Sequence, residues 1–127
     1  MELIAIVTAL ALLQTFVFAF QVGQARVKHT VNAPATSGSD EFDRAFRIHQ
    51  NTIEQMVIFV PSLWMFGHYV DPRIGAGVGI VFVIARQIYR NAYRGDPNSR
   101  GTGFSIGALS MMILLVGGLI GAVMSLL

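Results

Sequence analysis

From Leu3 to Ala25 the chain carries no charged residue, and this run of 23 positions limits what it can fold into more than any other feature. As a helix rising about 1.5 Å per residue it is long enough to cross about 30 Å of hydrocarbon. A secretory leader would open on basic residues and a shorter apolar core, whereas this chain opens Met1-Glu2 and runs long. Thr102 to Leu127 is equally free of charge. The whole is 54% hydrophobic and only 13% charged, against about 25% charged in an ordinary soluble domain. A chain of 127 residues has room for one domain and cannot bury that much apolar surface in water. The expected solvent is lipid.

Between the two apolar ends the character alternates. Residues 26 to 41 hold Arg26, Lys28, His29, Asn32, Pro34 and a Ser-Gly-Ser-Asp-Glu run, a loop by composition. Asp71-Pro72-Arg73 marks a short turn, and Gly95-Asp96-Pro97-Asn98 ends a helix whose last turn is basic. Helices are expected over roughly 3–25, 41–69, 74–94 and 102–127, an all-α, membrane-integral four-helix bundle. Pro61 implies a kink in the second helix. Gly75, Gly77 and Gly79, with Gly117, Gly118 and Gly121, read as small residues that let helices approach closely. Trp64 reads as an interface anchor or a packing residue.

Basic residues orient the bundle. The loop between helices one and two, with the adjoining helix ends, holds Arg26, Lys28, Arg44 and Arg47; the loop between three and four holds Arg86, Arg90, Arg94 and Arg100. Arg73 alone lies at the other end, so the nine basic residues divide eight to one. Positive-inside bias places both basic loops in the cytoplasm and both termini on the far side.

Some of those charges lie inside the helices, where insertion costs about 2.5–3.5 kcal/mol each near the bilayer centre and less near an end. Arg47, Asn51 and Glu54 fall within about 60° of one another on a helical wheel, with His49 on nearly the opposite face. Arg86, Tyr89, Arg90 and Tyr93 share a face of the third helix, and Arg100 precedes the fourth. An internal ion pair, Glu54 with Arg47 or with Arg86, is one explanation. The arginines outnumber that single carboxylate, and a guanidinium fork suits carboxylates and phosphates. The ligand expected is therefore anionic, either a lipid headgroup or a soluble dianionic or zwitterionic metabolite. With no cysteine there is no disulfide, thiolate metal site or cysteine nucleophile, and any reacting thiol must arrive with a substrate. The three histidines are too scattered for a metal site, and a net charge of +2 is too small to suggest nucleic acid.

The segment Glu41-Phe42-Asp43-Arg44-Ala45-Phe46-Arg47-Ile48-His49-Gln50-Asn51-Thr52-Ile53-Glu54 resembles the signature of the MAPEG family, membrane-associated proteins in eicosanoid and glutathione metabolism. The likeness continues in Ser62-Leu63-Trp64-Met65, Ala85-Arg86-Gln87-Ile88-Tyr89, Ala92-Tyr93, Arg100-Gly101-Thr102-Gly103-Phe104 and Gln21-Val22-Gly23-Gln24-Ala25-Arg26, most of the chain. Within the family it looks like the microsomal glutathione transferases of the second type and the leukotriene-C synthases, in a bacterial form. The resemblance implies a homotrimer with one glutathione between neighbouring subunits. It matches Arg47, Asn51 and Glu54 to residues that hold the peptide, Tyr89 and Tyr93 to tyrosines of the pocket, and Arg86 to a nearby arginine. Arg26 and His49 match positions reaching the ligand from the adjacent subunit, and Arg100 matches the arginine proposed to stabilise the thiolate. The activity implied is conjugation of glutathione to hydrophobic electrophiles, with reduction of lipid peroxides as a second activity.

Two positions depart from the pattern. Gln55 stands where the family often has tyrosine, and Val27 where leukotriene-C synthases have a second arginine. Other readings are a non-catalytic, lipid-presenting relative and a small multidrug exporter. The first kind looks to lack the glutamate and the arginine before helix four, both present here as Glu54 and Arg100. The second depends on a carboxylate within its first helix, and this one has none beyond Glu2.

Overall fold

A computed structural model describes all residues, Met1 to Leu127. The chain forms four helices and no strand: α1 (Glu2–His29), α2 (Asp40–Tyr69), α3 (Pro72–Gly95) and α4 (Gly101–Leu126), with a single 3-10 turn at Pro97–Ser99 before α4. Helix α1 runs past the expected end at Ala25 because Arg26, Lys28 and His29 lie in its last turn, where positive charge favours the helix terminus. It stops at Thr30, which adopts φ 54°, and the Val31 N–H closes back onto the Arg26 carbonyl. The α1–α2 loop is therefore shorter than its composition suggests.

The helix starts are set by side chains. Ser39 Oγ accepts from the Phe42 N–H at 3.1 Å, and three acidic residues, Asp40, Glu41 and Asp43, occupy the first turn of α2. Asp71 Oδ1 accepts from Arg73 N and Ile74 N at 2.7 and 3.1 Å, with Pro72 in the first turn of α3. Helix α2 continues unbroken through Pro61.

Helices α1 and α4 qualify as membrane spans, with mean hydropathies of 2.4 and 2.3 over their most apolar windows. Their outer faces leave large apolar side chains uncovered, among them Leu13, Phe16, Phe20, Leu119 and Met124. Helices α2 and α3, of 30 and 24 residues, are of comparable length but have one polar half each. The core between them centres on Phe59 and Phe82, whose rings stack with centroids 3.9 Å apart. Trp64 Nε1 donates to Thr8 Oγ1 at 3.0 Å, tying α2 to α1. Such interhelical bonds in lipid contribute about 0.6 kcal/mol on average, because hydrocarbon offers little hydrophobic drive and contact packing carries the rest.

Close approach depends on two glycines of α4. A Cβ on Gly103 would stand 2.5 Å from the Tyr89 backbone nitrogen, and one on Gly121 2.8 Å from the Tyr69 carbonyl oxygen. Gly75 and Gly79 also face neighbouring side chains, but Gly77 faces open space and takes no part in the packing.

At the basic end, the first turn of α2 ties three helices together. Glu41 accepts from His29 at 2.8 Å and Lys28 at 3.1 Å, both at the end of α1, and from Arg94 of α3 at 3.4 Å. The hydrogen bond from His29, followed by that from Lys28, holds the Glu41 carboxyl down at about 2.

Candidate functional site

The two polar stripes meet at the basic end of the bundle. Arg47 and Asn51 of α2, Tyr89 and Tyr93 of α3, and Arg100 before α4 line one open cavity of about 660 Å³. Asn98, Gly101 and Phe104 complete its wall. Sequence reasoning passed over these three. The signal for Phe104 was its place one turn beyond Arg100, on the same side of α4 as Gly101; for Asn98 it was only a turn-forming residue type.

Each side chain arrives there for a local reason. Positions 47, 51 and 54 are one turn apart on α2, and Arg47 Nη1 donates to Glu54 Oε1 at 3.2 Å with both groups half open to solvent. The carboxylate thus pairs with Arg47 and not with Arg86. Arg86 lies behind the cavity with no exposed surface. Its Nη2 donates to Thr52 Oγ1 at 2.7 Å, and its guanidinium carbon sits 4.1 Å from the centre of the Tyr89 ring. Nε and Nη1 of Arg86 meet no protein acceptor, and the buried Oδ1 of Asn51 and Oε1 of Gln55 meet no donor. Thr52, unremarked in the sequence, is buried and donates in turn to the Ile48 carbonyl at 2.7 Å, so the chain from α2 backbone to guanidinium is continuous.

Tyr89 is buried and Tyr93 half-buried, their ring centroids 5.6 Å apart, and Phe104 closes on Tyr89 at 6.3 Å. The bare Gly103 lets α4 seat directly on the backbone of Ala85 and Tyr89, which brings the start of α4 against those rings. Arg100 is exposed, its guanidinium 5.8 Å over the Tyr93 ring, and its polar partner is the Pro97 carbonyl rather than a carboxylate. Two arginines therefore face the cavity and a third stands behind it, while the expected carboxylate, Glu54, pairs with Arg47 without itself lining the wall. An anionic or zwitterionic small molecule fits that balance.

The remaining expected residues are placed elsewhere. Arg90 shares the wheel face of Arg86 only nominally: its Nε donates to Gln21 Oε1 of α1 at 3.2 Å, so the α3 stripe divides between two neighbours. Arg26 donates to the Ala35 carbonyl at 2.7 Å and lies 4.7 Å over the Phe42 ring, away from the cavity. His49, half-buried on the other side of α2, does not line it either.

These features define an integral membrane four-helix bundle with an arginine- and tyrosine-lined cavity at its basic end. The chain belongs to the MAPEG family, whose profile matches residues 4–120. It is 41% identical over 115 residues to human microsomal glutathione S-transferase 2, an alignment covering 89% of this chain and 78% of that one. An uncharacterized protein of Synechocystis sp. is 43% identical over 116 residues, covering 91% and 85% of the two chains. Leukotriene C4 synthase of Cavia porcellus is 33% identical over 113 residues, covering 89% and 75%. The family and these relatives support a membrane-bound, glutathione-related function.

Proposed function

We propose that the protein is a glutathione transferase, which joins the thiolate of glutathione to hydrophobic electrophiles arriving from the lipid and also reduces lipid peroxides with the same thiol. The observation that carries this reading is Arg100, a cavity-lining guanidinium with no carboxylate partner. A free thiol titrates near 8.5 and only its anion is a good nucleophile. A guanidinium beside the sulfur favours the anion, and lowering the thiol by one or two units takes only about 1.4–2.7 kcal/mol. The N-terminus of α4, one residue beyond Arg100, adds a positive dipole end in the same place.

In this arrangement Arg47 and Asn51 hold the carboxylates and amides of the peptide, Glu54 receives its ammonium group, and Tyr89 and Tyr93 flank it. Arg86 presents its two unpartnered nitrogens, Nε and Nη1, from behind. Arg26 and His49 reach a neighbouring subunit's ligand in a homotrimer, which accords with their absence from the cavity of their own chain. Gln55, bearing an unpartnered buried oxygen, offers an acceptor where a phenol would offer a donor. No metal is needed for thiolate attack. The basic end faces the cytoplasm and both termini the opposite side, in keeping with the eight-to-one division of basic residues.

Presence of both Glu54 and Arg100 favours the transferase over a non-catalytic relative. Calorimetric titration of the detergent-solubilised protein with glutathione, followed by a conjugation assay with a chlorodinitrobenzene-type electrophile, tests the proposal. Failure to bind at millimolar glutathione removes both the ligand and the mechanism.

A further inference from the structure

The signature segment of α2 begins with Glu41 and Arg44, and neither touches the cavity. Both reach the end of α3, Glu41 in addition to its shorter bonds to His29 and Lys28 of α1. Arg44 Nη1 donates to the carbonyl oxygens of Arg94 and Gly95, at 3.0 and 3.3 Å. These are terminal carbonyls that the helix itself leaves unpaired, at the negative end of its dipole, so a guanidinium there is doubly favoured. Glu41 takes the Arg94 side chain at 3.4 Å and adds a second tie between the same two elements.

The short turn between α3 and α4 carries Arg100. That turn is braced on α3 and on itself: Ser99 Oγ donates to the Ala92 carbonyl at 3.2 Å, Asp96 Oδ1 accepts from the Asn98 N–H at 3.0 Å, and Arg100 Nη1 donates to the Pro97 carbonyl. The position of the Arg100 guanidinium is thus referenced to the last turn of α3, and that turn is referenced through Arg44 to α2, which also carries Arg47 and Asn51. One bond network sets the spacing between the two sides of the cavity.

We infer that Arg44 is a positioning residue for Arg100, acting through the C-terminal turn of α3. The inference rests on reading Arg100 as the thiolate-stabilising group. Removing the Arg44 guanidinium frees the last carbonyls of α3 and lets the turn drift, which moves the cation off the sulfur while leaving Arg47, Asn51 and Glu54 in place. The damage falls on thiol ionisation and not on peptide binding.

The test compares wild type, Arg44→Met and Arg44→Lys as full-length protein in detergent, monitoring the ultraviolet absorbance of bound thiolate against pH together with kcat and glutathione affinity. Arg44→Met is expected to bind glutathione within about twofold of wild type, to titrate the bound thiol about one unit higher, and to lose about tenfold in kcat at neutral pH. Arg44→Lys, which returns one cation to the two carbonyls, is expected to recover most of that shift. Ser99→Ala, which cuts the other brace at an exposed site, should move the thiol in the same direction by less, and it carries the test should Arg44→Met not fold. An unmoved thiol titration in the folded variants, or a loss of affinity as large as that of Arg47→Ala, overturns the inference. Absence of bound thiolate in the wild type overturns the reading of Arg100 itself, a separate and recognisable failure.

Discussion

Arg86 has no exposed surface, yet two of its three nitrogens meet no acceptor while the oxygens of Asn51 and Gln55 go without donors. Each unsatisfied buried group costs about 1–3 kcal/mol, so these orphaned atoms weigh against the stability of the fold. Arg86→Met should accordingly leave the thermal midpoint of the ligand-free protein unchanged or raise it, while weakening glutathione binding; a fall of several degrees would show that the bond to Thr52 outweighs the orphaned donors. Arg47→Ala is expected to weaken glutathione affinity about 10- to 100-fold, the loss of one charge-assisted contact, with kcat at saturation nearly kept. Arg100→Ala should do the reverse, and calorimetry beside steady-state rates separates the two. Helix spacing alone puts 47 and 51 on one face of α2 and 89 and 93 on one face of α3, and all four line the cavity, whereas Glu54, on the same face as 47 and 51, does not. What the spacing could not tell was the choice of partner. Glu54 goes to Arg47, one helix turn-pair away on its own helix, and Arg90 turns to Gln21, because pairing is decided by neighbouring helices whose packing angles no single-helix wheel contains.

Among the helices, α4 depends on a side chain that is missing. Gly103→Ala would place a methyl 2.5 Å from the Tyr89 nitrogen and 2.9 Å from the Ala85 oxygen, both backbone atoms that cannot step aside. The expected cost is about 1–3 kcal/mol, together with lost activity as the start of α4 lifts from the tyrosines. Gly77→Ala, with nothing within 4 Å, should be neutral or stabilising by up to about 1 kcal/mol through helix propensity. Thermal unfolding of the two variants side by side checks the pair. The sequence singled out Gly77 and not Gly103 as a small residue for helix packing, since a close approach is a property of two stretches of backbone and not of one. The apolar spans of α1 and α4 were visible from charge alone, but α1 outran its apolar stretch: the helix extends through Arg26, Lys28 and His29, whose charges suit a C-terminus as well as they suit a loop.

At the scale of the whole molecule, the basic end is fastened by Glu41, with partners on α1 and α3. Its carboxyl is lowered from about 4.5 to about 2, first by His29 and then by Lys28, so its contribution is complete above about 4.5 and fades as the pH falls toward 2. Glu41→Gln should therefore flatten the acid limb of the thermal midpoint across that interval; an unchanged limb would show the fastening to be idle. If sites form between subunits, Arg26→Ala and Arg100→Ala chains, each impaired alone, should regain activity when co-expressed, because mixed oligomers contain sites drawing intact Arg26 from one chain and intact Arg100 from the other. Phe104 has a consequence for the kinetics. It lines the cavity and is 40% exposed in the first turn of α4, a helix whose later turns carry uncovered apolar side chains. On the proposed function a hydrophobic acceptor would reach that cavity from the bilayer, at its mole fraction in the membrane and not at its bulk concentration. At fixed total electrophile, adding empty vesicles or micelles should slow turnover in proportion to the dilution of that two-dimensional phase, while the dependence on glutathione, drawn from water, stays where it was.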